Sequence, residues 1–298
     1  MGNMQTYLYF PGCSLRTTAK DFDTSAKACA GALGMDLREM KDWLCCGAVF
    51  SNTSDNIITN SGPNRILARA QSEGNILVTL CAGCHNVLKR TSIQAKRDRA
   101  KQDQINEFNE EAYSGEMDVL HFLEILRDRV GFDKIKENVK VPLQGMPVGA
   151  YYGCLLLRPY REMKFDDPHR PTVIEDLLDS IGCTPIDYPA RTECCGSYLA
   201  IPSPDTIMQL AGSVVQSARS HGARVIAVSC PLCKYNLELS QNRQSSVSQG
   251  SDALPVVYFT QLLGLALGLP PEELGLDAAR EQAIRGITRA PIESVSLQ

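Results

Sequence analysis

The chain has 298 residues, 44% of them hydrophobic and 21% charged, with a formal net charge of −4. This is enough chain for one large or two medium domains with real cores, and the composition is that of a globular protein. The charge balance gives no sign of nucleic-acid binding. The start, Met1-Gly2-Asn3-Met4-Gln5-Thr6, lacks the basic stretch and apolar core of a signal peptide, so a cytoplasmic location is expected. In chain order, residues 6–12 are aromatic and extended and stop at Pro11-Gly12 before Cys13, which predicts a buried strand. Phe22, Ala26, Cys29, Ala30 and Leu33 fall at helical spacing before Gly34. A short strand is expected to lead into Cys45-Cys46-Gly47. A helix is expected over 65–72, and the apolar run 75–80 reads as a strand delivering Cys81-Ala-Gly-Cys84. A long charged helix is expected over 87–111, and a buried helix over 118–130.

The second half replays this order. Residues 147–153 lead to Cys154, and Val173, Ile174, Leu177, Leu178 and Ile181 form a helical stripe ending at Gly182. Cys194-Cys195-Gly196 follows, then a helix over 207–218 and a strand over 223–229 that delivers Cys230-Pro-Leu-Cys233. Residues 255–263 mirror 118–126. The apolar window from Leu254 to Pro270 is interrupted by Gln261 and two glycines. It falls short of the ~20 residues that span a bilayer, so a buried helix is expected and no membrane span. The stretch 286–298 reads as a loose or docking tail. The expected fold is α/β, with two homologous halves, 1–143 and 144–298, related by a pseudo-two-fold. Each is a mainly parallel sheet flanked by helices. The cysteines sit where strands end, which is where open parallel sheets place their ligands.

Twelve cysteines in a cytosolic chain point to metal or redox sites rather than a disulfide framework. The first half reads Cys13-x31-Cys45-Cys46-x34-Cys81-x2-Cys84, and the second Cys154-x39-Cys194-Cys195-x34-Cys230-x2-Cys233. Cys29 and Cys183 fall outside the repeat and read as buried thiols. Five thiols per half is one more than tetrahedral zinc or an ordinary cubane cluster takes. Either one thiol per half is spare or the centre is not a standard one. Adjacent cysteines can reach two different irons of one cluster, and Gly47 and Gly196 remove a side chain where backbone passes a bulky core.

The twice-occurring Cys-Cys-Gly and Cys-x-x-Cys pattern resembles the cysteine-rich CCG domain family, in the single-chain form of the B-type component of heterodisulfide reductase. The Phe10-Pro-Gly-Cys-Ser-Leu and Tyr151-Tyr-Gly-Cys-Leu-Leu-Leu-Arg-Pro segments resemble its bacterial and archaeal members. The resemblance implies two non-cubane [4Fe–4S] clusters. One would be held by Cys13, Cys45, Cys46, Cys81 and Cys84, and the other by Cys154, Cys194, Cys195, Cys230 and Cys233. It also implies two-electron cleavage, or formation, of a disulfide held between them. The disulfide is a small molecule or carrier-bound. The implied partners, from the same complex, are a ferredoxin-like iron–sulfur subunit (the C-type component) with a flavoprotein subunit (the A-type component). Some relatives carry histidine just after the first cysteine of the second motif, where this chain has Leu155.

Two flanking clusters each supplying one electron avoid a thiyl radical, with Cys45, Cys46, Cys194 and Cys195 acting through them. His85 and Lys234 follow the two Cys-x-x-Cys motifs and are candidate proton donors. Arg16 and Arg158 are candidates for a substrate anion. His121, on the apolar stretch, reads as structural. Two rivals are an electron-transfer subunit of a lactate- or glycolate-oxidising complex, and zinc in one or both halves.

Overall fold

The computed structural model describes residues 4–48, 56–247 and 253–289. Eight short strands form two four-stranded sheets. The first contains β1 (Gln5–Phe10), β2 (Met35–Glu39), β3 (Ile76–Thr79) and β4 (Asp118–His121) in the order β2-β1-β3-β4. The second repeats this with β5 (Pro147–Tyr151), β6 (Thr184–Ile186), β7 (Val225–Val228) and β8 (Val256–Tyr258), in the order β6-β5-β7-β8. Every pairing is parallel. Parallel strands covered on both faces need apolar side chains throughout, and β7, Val-Ile-Ala-Val, is buried at every position. The strand order turns back on itself between β1 and β3, and between β5 and β7. Parallel sheets open a ligand crevice at the carboxyl ends of such a pair. Cys13 and Cys81 follow the first pair, and Cys154 and Cys230 the second.

Several expected elements differ from those observed. The stretch 118–130 is not one helix. Asp118–His121 pairs with Ile76–Thr79, and only Phe122–Ile125 and a π-helical turn over Leu126–Val130 are helical. Short apolar stretches such as Val119-Leu120 and Phe122-Leu123 are too brief to show a period, so helix and buried strand look alike in them. His121 therefore sits at a strand–helix junction. Its Nδ1 accepts from Leu123 N–H at 3.2 Å, and Glu124 Oε2 accepts from His121 N–H at 2.7 Å, a reciprocal cap. The same division applies to the apolar window near the end, where β8 precedes the helix Phe259–Ala266. The charged helix is also two, Ala82–Arg97 and Arg99–Asn109, separated at Asp98, whose carboxylate accepts from Lys101 N–H. The helix placed over 65–72 begins earlier and spans Ile57–Gln71. Of the expected tail, residues 286–289 complete the helix Ala278–Arg289, and 290–298 lie outside the described residues.

The halves share one core. The helix Lys20–Ala32 of the first packs on Phe259–Ala266 of the second. Phe22 stacks on Tyr258 with centroids 4.0 Å apart and planes at 2°. The Ser25 and Thr260 hydroxyls are 2.7 Å apart, and Cys29 donates to Thr260 O at 3.2 Å. Burying a side chain such as Phe22 contributes roughly 1.5–3 kcal/mol, so this contact fixes how the two sheets meet. A smaller core covers the other face of the first sheet, around Ile66, Leu67 and Leu88.

Candidate metal centre

The ten repeated cysteines gather at the carboxyl ends of the sheets, and all are free thiols. In the first half, β1 ends at Pro11-Gly12 and the short helix Gly12–Arg16 carries Cys13. Cys81 ends β3 and starts the helix Ala82–Arg97, so Cys84 lies in its first turn. Amides at a helix start stabilise thiolate. The sulfurs meet in pairs. Cys13 and Cys45 are 3.8 Å apart and Cys46 and Cys84 3.4 Å, with Cys81 hydrogen-bonded to Cys84. The second half matches: Cys154 to Cys194 is 3.8 Å, Cys195 to Cys233 is 3.5 Å, and Cys230 bonds Cys233. Cys29 and Cys183 are buried elsewhere in the shared core.

The backbone is shaped for close approach of sulfur. Gly12 (φ +71°) and Gly153 (φ +63°) precede the first cysteine of each set. A Cβ on them would lie 3.0 Å from Cys84 Sγ and 3.1 Å from Cys233 Sγ. The second Cys-Cys-Gly loop is held by Asn236, whose amide donates to Cys195 O at 3.1 Å and Ser197 O at 2.8 Å. In the first, Trp43 donates to Glu39 at 3.0 Å and packs edge-on against Phe10, while Arg69 donates to Asp42 O at 2.7 Å.

So many thiols crowded together cannot all ionise without cations. Cys46 is lowered to about 4 by hydrogen bonds from Cys45 and Cys84, and Cys194 to about 2 by those from Cys154 and Cys195. Their neighbours go the other way. Cys195 is pushed up to about 12, first by Cys194, and Cys45 and Cys154 are raised by the thiols beside them. This donor set fits a soft, multiply charged core. Two thiolates on one tetrahedral metal at ~2.3 Å lie roughly 3.8 Å apart, close to the pair distances here. Among the described residues, no three His, Cys, Asp or Glu side chains converge as one preformed metal-ion cage. Sulfurs arranged as linked pairs suit a polynuclear centre better than a single ion.

The two sets touch. The thiols of Cys81 and Cys230 interact across the boundary between the halves, and Ala82 N–H donates to Ser229 O at 3.2 Å. Beside this junction is a cleft of about 210 Å³ lined by residues of both halves, including Cys81, Cys230, Leu155, Tyr198, Lys234 and Tyr258. Of the two residues matched by the repeat, Lys234 lines this cleft and His85 does not. His85 is fully buried, 3.3 Å from Glu124 and 3.4 Å from Thr79, and burial holds it well below the usual histidine range. Arg16 pairs with Glu39. Arg158 donates to Thr192 O at 2.8 Å and Pro168 O at 3.5 Å. Neither arginine is among the residues lining the cleft. Asn236, Tyr198 and Tyr258 were not singled out from the sequence. Only their positions after landmarks of the repeat could have flagged them.

A family model described as the CCG cysteine-rich domain matches residues 7–89 and 148–238, each span holding one set of five cysteines. The chain belongs to the CCG cysteine-rich domain family. Within it, this CCG protein is of the kind found as the B-type component of heterodisulfide reductases. It is 27% identical over 285 residues to the B-type component of the ferredoxin/F(420)H(2)-dependent CoB-CoM heterodisulfide reductase of Methanosarcina acetivorans, covering 93% of each chain. It is 32% identical over 274 residues to the 8-methylmenaquinol:fumarate reductase membrane anchor subunit of Wolinella succinogenes, covering 91% of this chain and 95% of that one. Among the described residues of this chain, no helix is long and apolar enough to cross a membrane. The crystal structure of a hypothetical protein from Helicobacter pylori superposes with a TM-score of 0.74 at 12% identity. It covers 92% of this chain and 51% of that one, and shows a shared fold.

Proposed function

We propose that this CCG protein is the catalytic, cytoplasmic subunit of a heterodisulfide reductase-type oxidoreductase. It cleaves, or in reverse forms, a disulfide at the junction of its two cysteine sets. The observation that carries this reading is the contact of Cys81 with Cys230 beside a cleft that both halves line. A two-electron step on an S–S bond needs two centres facing one bond, and a duplicated site meeting at its own boundary supplies that arrangement. The ten repeated cysteines would hold two non-cubane [4Fe–4S] clusters, five to each, and these would supply one electron apiece when bound. The step balances as RSSR′ + 2 e⁻ + 2 H⁺ giving RSH and R′SH. Lys234, in the cleft wall, is the group of this chain positioned to donate a hydrogen bond to a departing thiolate; Leu155 brings none. Electrons would come through a ferredoxin-like iron–sulfur partner from a flavoprotein.

The test is oxidation of a reduced viologen dye by disulfide, using anaerobically reconstituted protein. Turnover is expected, and Cys195→Ala should abolish it; full activity in that variant defeats the two-centre mechanism. A second reading draws on the relative named as part of a fumarate reductase. In it the chain passes electrons without binding a disulfide, and the loaded protein would be reduced and reoxidised yet turn over no disulfide.

A further inference from the structure

The two halves are equivalent in fold, yet the two approaches to the Cys81–Cys230 junction are not. The repeat matches His85, Asn86 and Lys89 to Lys234, Tyr235 and Glu238. On the first approach the Asn86 amide donates to Leu155 O and Arg158 O, both at 2.7 Å. The short helix Tyr160–Met163 packs over the helix Ala82–Arg97, and Arg90 and Arg97 pair with Glu162. Asn86 is consequently buried, and His85 beside it is enclosed by Thr79, Glu124 and His121. The cover over Asn86 comes from chain that the first half lacks. From Cys154 to the next long helix, Val173–Ser180, the chain runs on through 155–172, whereas Lys20–Ala32 follows soon after Cys13. On the second approach nothing equivalent is built among the described residues. Tyr235, the counterpart of Asn86, is 55% exposed, and exposed Thr18 lines the same cleft.

The positive charge of that mouth is cancelled within itself. Lys234 Nζ lies 3.3 Å from Glu238 and 3.5 Å from Asp21, and Arg280 lies 3.5 Å from Glu238. Arg280 also lies 3.9 Å from Asp277, so two cations face three carboxylates and neither cation is left unpaired. Arg16 and Arg158 are both committed elsewhere. Three tyrosines, Tyr198, Tyr235 and Tyr258, line the wall together with apolar Leu155, Pro231 and Leu232, and Lys234 lies 5.3 Å from the Tyr258 ring centroid. An arm carrying phosphate, sulfonate or carboxylate would lose hydration here and meet no uncompensated cation.

We propose that the disulfide reaches the junction from one side only, between Thr18 and Tyr235, and that this mouth selects a disulfide with uncharged arms over one with anionic arms. This rests on the disulfide reading above. The test uses the reconstituted full chain, a reduced viologen dye and three disulfides of similar size: bis(2-hydroxyethyl) disulfide, bis(2-sulfonatoethyl) disulfide and cystamine. The hydroxyethyl compound is expected to exceed the sulfonate in kcat/KM by about tenfold. Glu238→Gln, which removes one carboxylate from the mouth, should raise the kcat/KM of the sulfonate relative to the hydroxyethyl compound several-fold and lower that of cystamine relative to it. A general structural effect would move all three alike. Thr18→Trp should depress all three, and Tyr160→Trp, on the closed side, none. Preference for the sulfonate by the unaltered chain, a parallel shift of all three by Glu238→Gln, or equal losses from the two tryptophan variants would overturn the inference. No turnover of any disulfide by iron-loaded protein would instead defeat the disulfide reading. The mouth is then judged by tyrosine fluorescence titration with 2-mercaptoethanol against 2-mercaptoethanesulfonate. The former should bind more tightly; tighter binding of the sulfonate overturns the inference.

Discussion

Substitution of Gly12 by alanine tests how the sequence shapes the first cysteine set. Gly12 sits at φ +71°, and a Cβ there would be 3.0 Å from Cys84 Sγ. The left-handed backbone costs a non-glycine residue about 1–2 kcal/mol. Heavy atoms in contact lie roughly 3.5–4.0 Å apart, so the sulfur would have to retreat by about 0.5–1 Å. Functional groups tolerate displacement of only about 0.5 Å. Gly12→Ala should therefore lower the stability of metal-free protein by only about 1–2 kcal/mol while removing about half of the bound iron. The control is Gly222→Ala, at φ +94° with open space around the added carbon. It should show a similar stability loss and full iron content. The assays are thermal denaturation of the metal-free chains and iron per chain after anaerobic reconstitution. Full iron in Gly12→Ala, or equal iron loss in both variants, would refute the reasoning.

Asn236→Ala strips the hydrogen bonds that hold the Cys194-Cys195 loop and leaves buried carbonyls unpaired. It should cost about 1–3 kcal/mol in denaturant unfolding and impair metal loading of the second half. Phe22→Ala removes the stack on Tyr258 at the junction of the halves and should cost about 3–5 kcal/mol, read by thermal melting. Burial raises Glu175 from 4.5 to about 7, beside Tyr152 and Arg191. The folded state thus favours the protonated acid. That stabilisation is complete below the unfolded value near 4.5 and is lost as pH rises through 7. Its size is at most roughly 3 kcal/mol, and Glu175→Gln should flatten the melting temperature between pH 5 and pH 7.5 relative to the unaltered chain. Identical pH profiles would count against it.

The repeat was the most legible feature. Its landmarks are chemical, Cys-Cys-Gly and Cys-x-x-Cys, and they recur at fixed spacing, so the two similar halves and the two sets of five cysteines follow from position alone. What escaped lies where composition carries no period. Residues 118–121, Asp-Val-Leu-His, and 255–258, Pro-Val-Val-Tyr, are too short to show a period, and only their pairing to β3 and β7 makes them strands. The break at Asp98 is a local cap inside a run of helix formers. At the site, matched positions suggested equal roles for His85 and Lys234. The fold separates them because His85 is enclosed by Thr79, Glu124 and His121 while Lys234 lines the cleft, and residues 155–158 cover Asn86 next to His85. That asymmetry arises from long-range contacts, His85 with Glu124 and Asn86 with the chain after Cys154, which no local pattern announces.

The central claim is that two equivalent polynuclear iron–sulfur sites meet at one junction. Iron and acid-labile sulfide per chain, counted in anaerobically purified protein, test it most directly. About eight irons, matched by sulfide, are predicted for two four-iron centres; about four irons, or zinc in place of iron, would contradict it.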